Sequence, residues 1–130
     1  MLRNKASSAI VAVADLDRAR RFYRDTLGLD PVEDDGSEMM VFRTGETFLV
    51  VYRSGEAGTN RANAVVWDAG ADIEAIVADL QAKGVVFEHY PDMPGIVLDG
   101  DIHRAGAFAM VWFKDPDGNI LHLNAMPSSA

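Results

Sequence analysis

Apolar and polar positions follow the same course twice along the chain. The run Ala9-Ile10-Val11-Ala12-Val13 is short, apolar and partly β-branched, and it predicts a strand. From Asp15 onward the spacing changes: Leu16, Ala19, Phe22, Tyr23 and Leu27 fall near a helical period with arginines between them, and Gly28 closes the segment. The second half repeats this with Ala64-Val65-Val66-Trp67, then Ile73, Ile76, Val77 and Leu80 at i, i+3, i+4 and i+7, then Gly84. Asp72 follows Asp15 by 57 positions and Gly84 follows Gly28 by 56, so the two courses are in step. Asp15 and Asp72 suit helix N-caps, where a carboxylate accepts unpaired first-turn N–H groups and complements the helix dipole. Gly28 and Gly84 suit the left-handed position that ends a helix.

Strand-like stretches follow each predicted helix. They cover 29–34, 38–43 and 47–52 in the first half, and 85–90, 96–98, 108–114 and 120–124 in the second. Asp115-Pro116-Asp117-Gly118 carries Pro and Gly where a tight turn wants them, and it is expected to join the last two strands as a hairpin. Residues 91–106 hold Pro91, Pro94, Gly95, Gly100 and Gly106, and read as a long loop around one short strand. The polar, glycine-containing stretch 54–60 is the natural linker. The expectation is an α+β chain of two βαβββ modules, about 6–54 and about 61–126, in one domain spanning 1–130.

Composition narrows the function classes. At 130 residues, 48% hydrophobic and 25% charged, the chain suits one compact domain. No apolar run approaches the roughly 18 residues of a spanning helix. The first residues lack the apolar core of a secretory signal. There is no cysteine, which excludes disulfides, thiolate metal sites and a thiol nucleophile and makes a reducing cytoplasm the simplest compartment. Twenty acidic against 12 basic residues give a net charge of −8, a field that repels phosphate backbones and anionic lipid. Neither nucleic acid nor membrane is therefore expected as a partner. Arg18, Arg20, Arg21 and Arg24 are best read as one solvated helix face.

Three stretches together resemble the vicinal oxygen chelate superfamily, which includes glyoxalase I, extradiol dioxygenases, and fosfomycin- and bleomycin-resistance proteins. They are the opening from Ile10 through Asp15-Leu16-Asp17 and Phe22-Tyr23 to Leu27-Gly28-Leu29, its weaker echo over 65–85, and the ending Trp112-Phe113-Lys114-Asp115-Pro116-Asp117-Gly118-Asn119-Ile120-Leu121-His122-Leu123. The resemblance implies modules curled into a U-shaped, partly open barrel, with helices outside and a ligand in the concavity. Alternation then turns Ala9, Val11 and Val13 toward the helices, and Ser8, Ile10 and Ala12 toward the cavity. Metal-dependent members place four His, Glu or Gln ligands there. Counted from the helix caps and turn glycines, those positions fall on Ser8, Leu49, Val65 (or Asn63) and His122. One imidazole among Ser, Leu and Val cannot satisfy a divalent ion, so no cofactor or bound metal is expected.

The expected ligand-binding set is Ser8, Ile10, Leu49, Val65, Trp67, His103, Phe108, Met110, Trp112 and His122. His122, with an ordinary pKa near 6.5, is the candidate catalytic base; the alternative is a histidine satisfied in the core. Phe108, Met110 and Trp112 share one face of a strand and could line an aromatic pocket, or pack beneath the helices. If Leu49 faces the cavity, Phe48 and Tyr52 face a helix. His103 with Arg104 could meet an anion at the cavity mouth, or could be solvated loop residues. The function expected is binding of an apolar or aromatic small molecule, by a homodimer. The alternative is a metal- or His-dependent lyase, isomerase or dioxygenase of the same superfamily.

Overall fold

A computed structural model describes residues 1–34 and 38–126. Strands β1 (Ala9–Val13), β2 (Asp30–Asp34), β3 (Met39–Thr44) and β4 (Thr47–Arg53) form one sheet in the order β1-β4-β3-β2. The second sheet contains β5 (Asn63–Asp68), β6 (Phe87–Glu88), β7 (Val97–Asp99), β8 (Ile102–Ala105), β9 (Phe108–Lys114) and β10 (Ile120–Ala125), in the order β5-β10-β9-β8-β7 with β6 paired to β9. In each sheet the strand before the helix runs parallel to the last strand, and the other pairs are antiparallel. β1 lies against β5, and the sheets do not close into a barrel. This is the paired βαβββ arrangement, with helix α1 (Leu16–Arg20) in the first half and α2 (Ile73–Ala82) in the second.

Strand alternation sorts the core. Val11, Val13, Met40, Phe42, Leu49 and Val51 turn one face of the first sheet inward. Ala109, Val111, Phe113, Leu121 and Leu123 do the same in the second. Leu16, Ala19 and Tyr23 from the first half, with Ile73, Val77 and Leu80 from α2, close over these faces, so both halves share one hydrophobic cluster. Each large apolar side chain fully buried there contributes about 1.5–3 kcal/mol relative to exposure.

Several local expectations are refined. Asp15 caps α1 through its Oδ1, which accepts from the N–H groups of Asp17 (2.9 Å) and Arg18 (3.1 Å). Asp72 makes no such bond, because a 3-10 turn at Gly70–Asp72 precedes α2 and Asp68 Oδ1 takes the Gly70 N–H instead. The first helix does not stay α throughout: Arg21–Thr26 widens into π-helical turns, with Leu27 N–H donating to Phe22 O. Gly28 (φ 74°) and Gly84 (φ 89°) take the left-handed conformation that ends their helices. The stretch expected to be mostly loop also contains β8, which forms by pairing back onto β9 across Gly106.

The Asp115-Pro116-Asp117-Gly118 turn does more than close the β9–β10 hairpin. Asp115 Oδ2 accepts from the Tyr23 hydroxyl (2.6 Å) and from Asn119 Nδ2 (2.8 Å), while its Oδ1 accepts from the N–H groups of Asp117 and Asn119 (both 2.9 Å). Asn119 Nδ2 also donates to Ala12 O, and Asp117 Oδ1 accepts from Ala14 N and Arg18 Nη2. The turn of the second half is thus bolted to β1 and the first helix. Tyr23, Asp115 and Asn119 are all buried. Burial, together with the adjacent Asp115 carboxylate, drives the Tyr23 phenol well above its ordinary pKa and keeps it protonated.

Candidate functional site

The sheet faces opposite the helices are open. On the second sheet, strand pairing sets side chains in rows. One row runs Val66–His122–Trp112–Glu88 across β5, β10, β9 and β6. The next runs Asp68–Asn124–Met110–His103–Leu98 across β5, β10, β9, β8 and β7. The Trp112 and His122 rings stack, with centroids 4.6 Å apart and planes 22° apart. His103 meets Trp112 edge-on at 4.9 Å, and Tyr90 does so at 5.3 Å. The result is an aromatic cluster on this side of the sheet, itself largely covered, with Trp112 and His122 each 8% exposed and His103 fully buried.

His122 lies against the carbonyl of Val111, with Nδ1 at 3.0 Å from the oxygen. A carbonyl only accepts, so Nδ1 carries the proton and Nε2 holds a lone pair. Burial lowers the His122 pKa, partly opposed by that carbonyl bond, so the ring is neutral near pH 7. Beside it lies a shallow cavity of about 320 Å³ lined by Asn63, Ala64, Val65, Val66, His122 and Asn124. Two amides and one imidazole are therefore the polar groups turned to an otherwise apolar hollow. His103 is fully buried, and its Nε2 accepts the Tyr90 N–H at 2.8 Å. Burial lowers its pKa too.

The first sheet presents Ile10, Val50, Val41 and Glu33 in one row, and Ala12, Tyr52 and Met39 in the next. The Arg43 guanidinium lies 5.1 Å over the Phe48 ring. Ile10 (60%) and Val66 (58%) are the most exposed large apolar side chains within the strands of this face, apart from the edge strand β7.

The structure gathers His122, Trp112, Met110 and His103 on the open face of the second sheet. Phe108 stands at the start of β9, exposed, on the same side. Ile10 lies on the open face of the first sheet, and Ser8, exposed, immediately precedes β1. Leu49 is a correction: it is buried in the core, and Phe48, Val50 and Tyr52 take the open side. The reason is hairpin length. The two-residue turn Gly45-Glu46 closes on the core-side pair Thr44 and Thr47, whereas the longer turn 115–119 closes on the open-side pair Lys114 and Ile120. Counting equally from the two turn glycines therefore lands on opposite faces. Val65 and Trp67 are likewise corrected to the helix side of β5, because the extra 3-10 turn before α2 changes the phase of the count. His103 is a strand residue rather than a loop residue. Arg104 is not free to meet an anion, being held by Asp99 (2.9 Å) and Glu74 (2.8 Å).

Sequence reasoning passed over Val66, Tyr90 and Asn124, and it weighed Asn63 only as an alternative to Val65. Asn124 had a signal, since it sits two residues after His122 on the same strand face. Tyr90 had none, because its position depends on how the chain folds back over β9.

The site was also tested for the superfamily's metal. His122 is flanked by Val66 and Trp112, and the nearest carboxylate in its row, Glu88, lies beyond Trp112 and is paired with Lys114 at 3.1 Å. Among the described residues no three His, Asp or Glu side chains come together. A divalent ion needs three or four such donors at about 2.0–2.2 Å, and this donor set does not fit one.

Two βαβββ modules paired in one chain, with helices on one side of the sheets and an open face on the other, define the fold class. The chain belongs to the Glyoxalase/Bleomycin resistance protein/Dioxygenase superfamily, whose model matches residues 5–123. Among solved structures it is similar to TnmS3, an antibiotic binding protein from Streptomyces sp. CB03234, at 25% identity and TM-score 0.68, covering 96% of this chain and 98% of that one. It shares its fold with a lactoylglutathione lyase from Agrobacterium tumefaciens (20% identity, TM-score 0.69, 94% and 93% covered). The same holds for the fosfomycin resistance protein FosX from Listeria monocytogenes (14% identity, TM-score 0.71, 95% and 93% covered). A search of curated proteins gave no significant match. No helix among the described residues is long and apolar enough to cross a membrane.

Proposed function

We propose that this chain binds a small apolar or aromatic molecule on its open face, without the superfamily's metal. The observation that carries the reading is the stacked Trp112–His122 pair beside a hollow whose other walls are aliphatic or amide. A flat ring laid against that pair gains stacking and apolar burial, while Asn63, Asn124 and His122 Nε2 fix its orientation. The antibiotic-binding relative at 25% identity supports binding over turnover. The exposed apolar residues Ile10, Val66, Met39 and Phe108 favour a homodimer whose second copy would help cover this face. A cysteine-free, acidic chain suits a cytoplasmic setting.

The test uses Trp67→Phe, which leaves Trp112 as the sole tryptophan, titrated with a panel of planar aromatic metabolites. A saturable change in emission that His122→Ala weakens is the expected result. Silence across the panel, or about one equivalent of divalent metal retained by the purified protein, refutes it.

A second reading has one specific support. The Val111 carbonyl fixes the His122 tautomer and leaves Nε2 basic, as a general base requires. Turnover of any bound compound that His122→Gln abolishes without weakening its binding would favour that reading.

A further inference from the structure

A fully buried titratable side chain, His103, sits at the centre of the aromatic cluster. Its Nε2 accepts the Tyr90 N–H at 2.8 Å, so the neutral ring carries its proton on Nδ1. Among the described residues that Nδ1 is buried without a hydrogen-bond partner. Tyr90 belongs to the stretch 89–96, which links β6 to β7. This stretch closes on itself through Met93 N–H to Tyr90 O (3.4 Å) and Ile96 N–H to Met93 O (3.3 Å). It is tied down by the Tyr90 bond to β8 and by His89 Nε2, which lies 2.6 Å from Oδ1 of Asp101, the residue before β8. The Tyr90 ring rests edge-on against Trp112, with centroids 5.3 Å apart, and 6.1 Å from the His103 ring.

We infer that the Tyr90–His103 bond is an acid-released latch, which frees Tyr90 from Trp112 when His103 takes up a second proton. A protonated imidazole donates through both nitrogens and accepts through neither. The second proton would occupy the lone pair that holds the Tyr90 N–H, leaving two donors face to face. The charged ring and the closed latch therefore exclude one another. Burial already disfavours charge on this ring, partly opposed by the Met110 carbonyl. His103 is fixed in a strand paired on both sides, so the Tyr90 stretch is the part that yields and lets water reach the charge. Neighbouring charges are engaged elsewhere. Acid turns His89 and Asp101 into an ion pair, which holds residue 89 in place and puts the hinge between 89 and 90. Glu88 is paired with Lys114, and Asp99 and Glu74 hold Arg104. His122 lies beyond Trp112, and Asp68 at the far end of the His103 row. Histidine changes charge between about pH 5 and 8, so the latch responds to mild acid. It stands whether or not the open face takes a ligand.

Amide hydrogen exchange of the full chain, followed by NMR at pH 7 and pH 5 and corrected for intrinsic rates, tests the latch. One-proton release from a ring with an ordinary pKa near 6.5 lets the Tyr90 opening grow by up to about 25-fold over that interval. Tyr90 protection is expected to fall at least about threefold further than that of the core amides of β9 and β10, which report global unfolding. His103→Gln keeps a side-chain oxygen to accept the Tyr90 N–H but cannot titrate, and should hold Tyr90 protection level with the core. In the wild-type chain, imidazole nitrogen shifts should show His103 Nε2 unprotonated at pH 7 and gaining its proton at the midpoint of the Tyr90 change. Tyr90 protection that merely follows the core strands, or an equal extra fall in His103→Gln, overturns the inference. If the glutamine protein does not fold, the wild-type titration decides: a shared midpoint supports the latch, and separate midpoints, or a protonated Nε2 at pH 7, overturn it.

Discussion

Removing the Tyr23 hydroxyl tests the junction between the halves. The group is buried and donates to Asp115 Oδ2 at 2.6 Å. A hydrogen bond to a charged partner contributes about 1.5–3 kcal/mol net. In Tyr23→Phe the Asp115 carboxylate keeps Asn119 Nδ2 on the same oxygen and two backbone N–H groups on the other. The loss should therefore fall near the lower end, about 1.5–2 kcal/mol at pH 7, which lowers Tm by several degrees. The phenol also gives this loss a pH signature. Its folded pKa lies above the unfolded value of 10.0, raised first by burial and then by Asp115. Below pH 10 both states hold the proton and the stabilisation is complete. Above it the unfolded chain releases the proton first, and native stability falls with a slope that approaches about 1.4 kcal/mol per pH unit. Phenylalanine has no such proton, so the gap between the two proteins should narrow by about 1 kcal/mol between pH 10 and 11. Urea unfolding of both proteins at pH 7, 10 and 11 measures this. A deficit below about 0.5 kcal/mol at pH 7, or parallel pH profiles, would refute the account of the junction.

Gly58→Ala should destabilise by about 1–3 kcal/mol, because φ is +78° and a Cβ would sit 2.3 Å from the Asp117 carbonyl oxygen; denaturant midpoints of the single variant and of Gly55→Ala, which meets nothing, give the comparison. Leu49→Ala should cost about 2–5 kcal/mol as a core cavity while leaving open-face binding unchanged, and Val50→Ala should do the reverse; a melt and a ligand titration on each separate the faces. His103 and His122 have folded pKa values below 6.5, so the unfolded chain takes up their protons first as pH falls. Stability should hold above about pH 6.5 and drop below it by up to about 1.4 kcal/mol per pH unit for each histidine, a slope that His122→Gln should reduce in melts between pH 7 and 5.

Much of the fold was readable in advance because alternation and helical spacing state which side of each element is apolar. Val11, Val13, Val77 and Leu80 announce their burial, and Trp112 and Phe113 must point apart. The site was readable where a face could be followed along one strand, as from Trp112 to Met110. It was misread at Leu49 and Val65, where a residue had to be carried from one half to the other across turns of unequal length. A one-residue slip in phase moves a side chain through the sheet, and no local pattern records the slip. β8 escaped notice for a related reason. Ile102-His103-Arg104-Ala105 lies among glycines and charges with little strand character of its own, and it becomes a strand only when β9 supplies a partner.

The bolt between the halves has a consequence for how the chain is made. Its bonds join Tyr23 to Asp115, Ala14 to Asp117 and Ala12 to Asn119, groups separated by 92 to 107 positions. A ribosome delivers the amino-terminal half long before the turn that secures it, so the first helix must wait, its phenol without a native acceptor, until almost the last strand emerges. Native order at the two ends of the polypeptide is thereby coupled through bonds that only the whole chain can make.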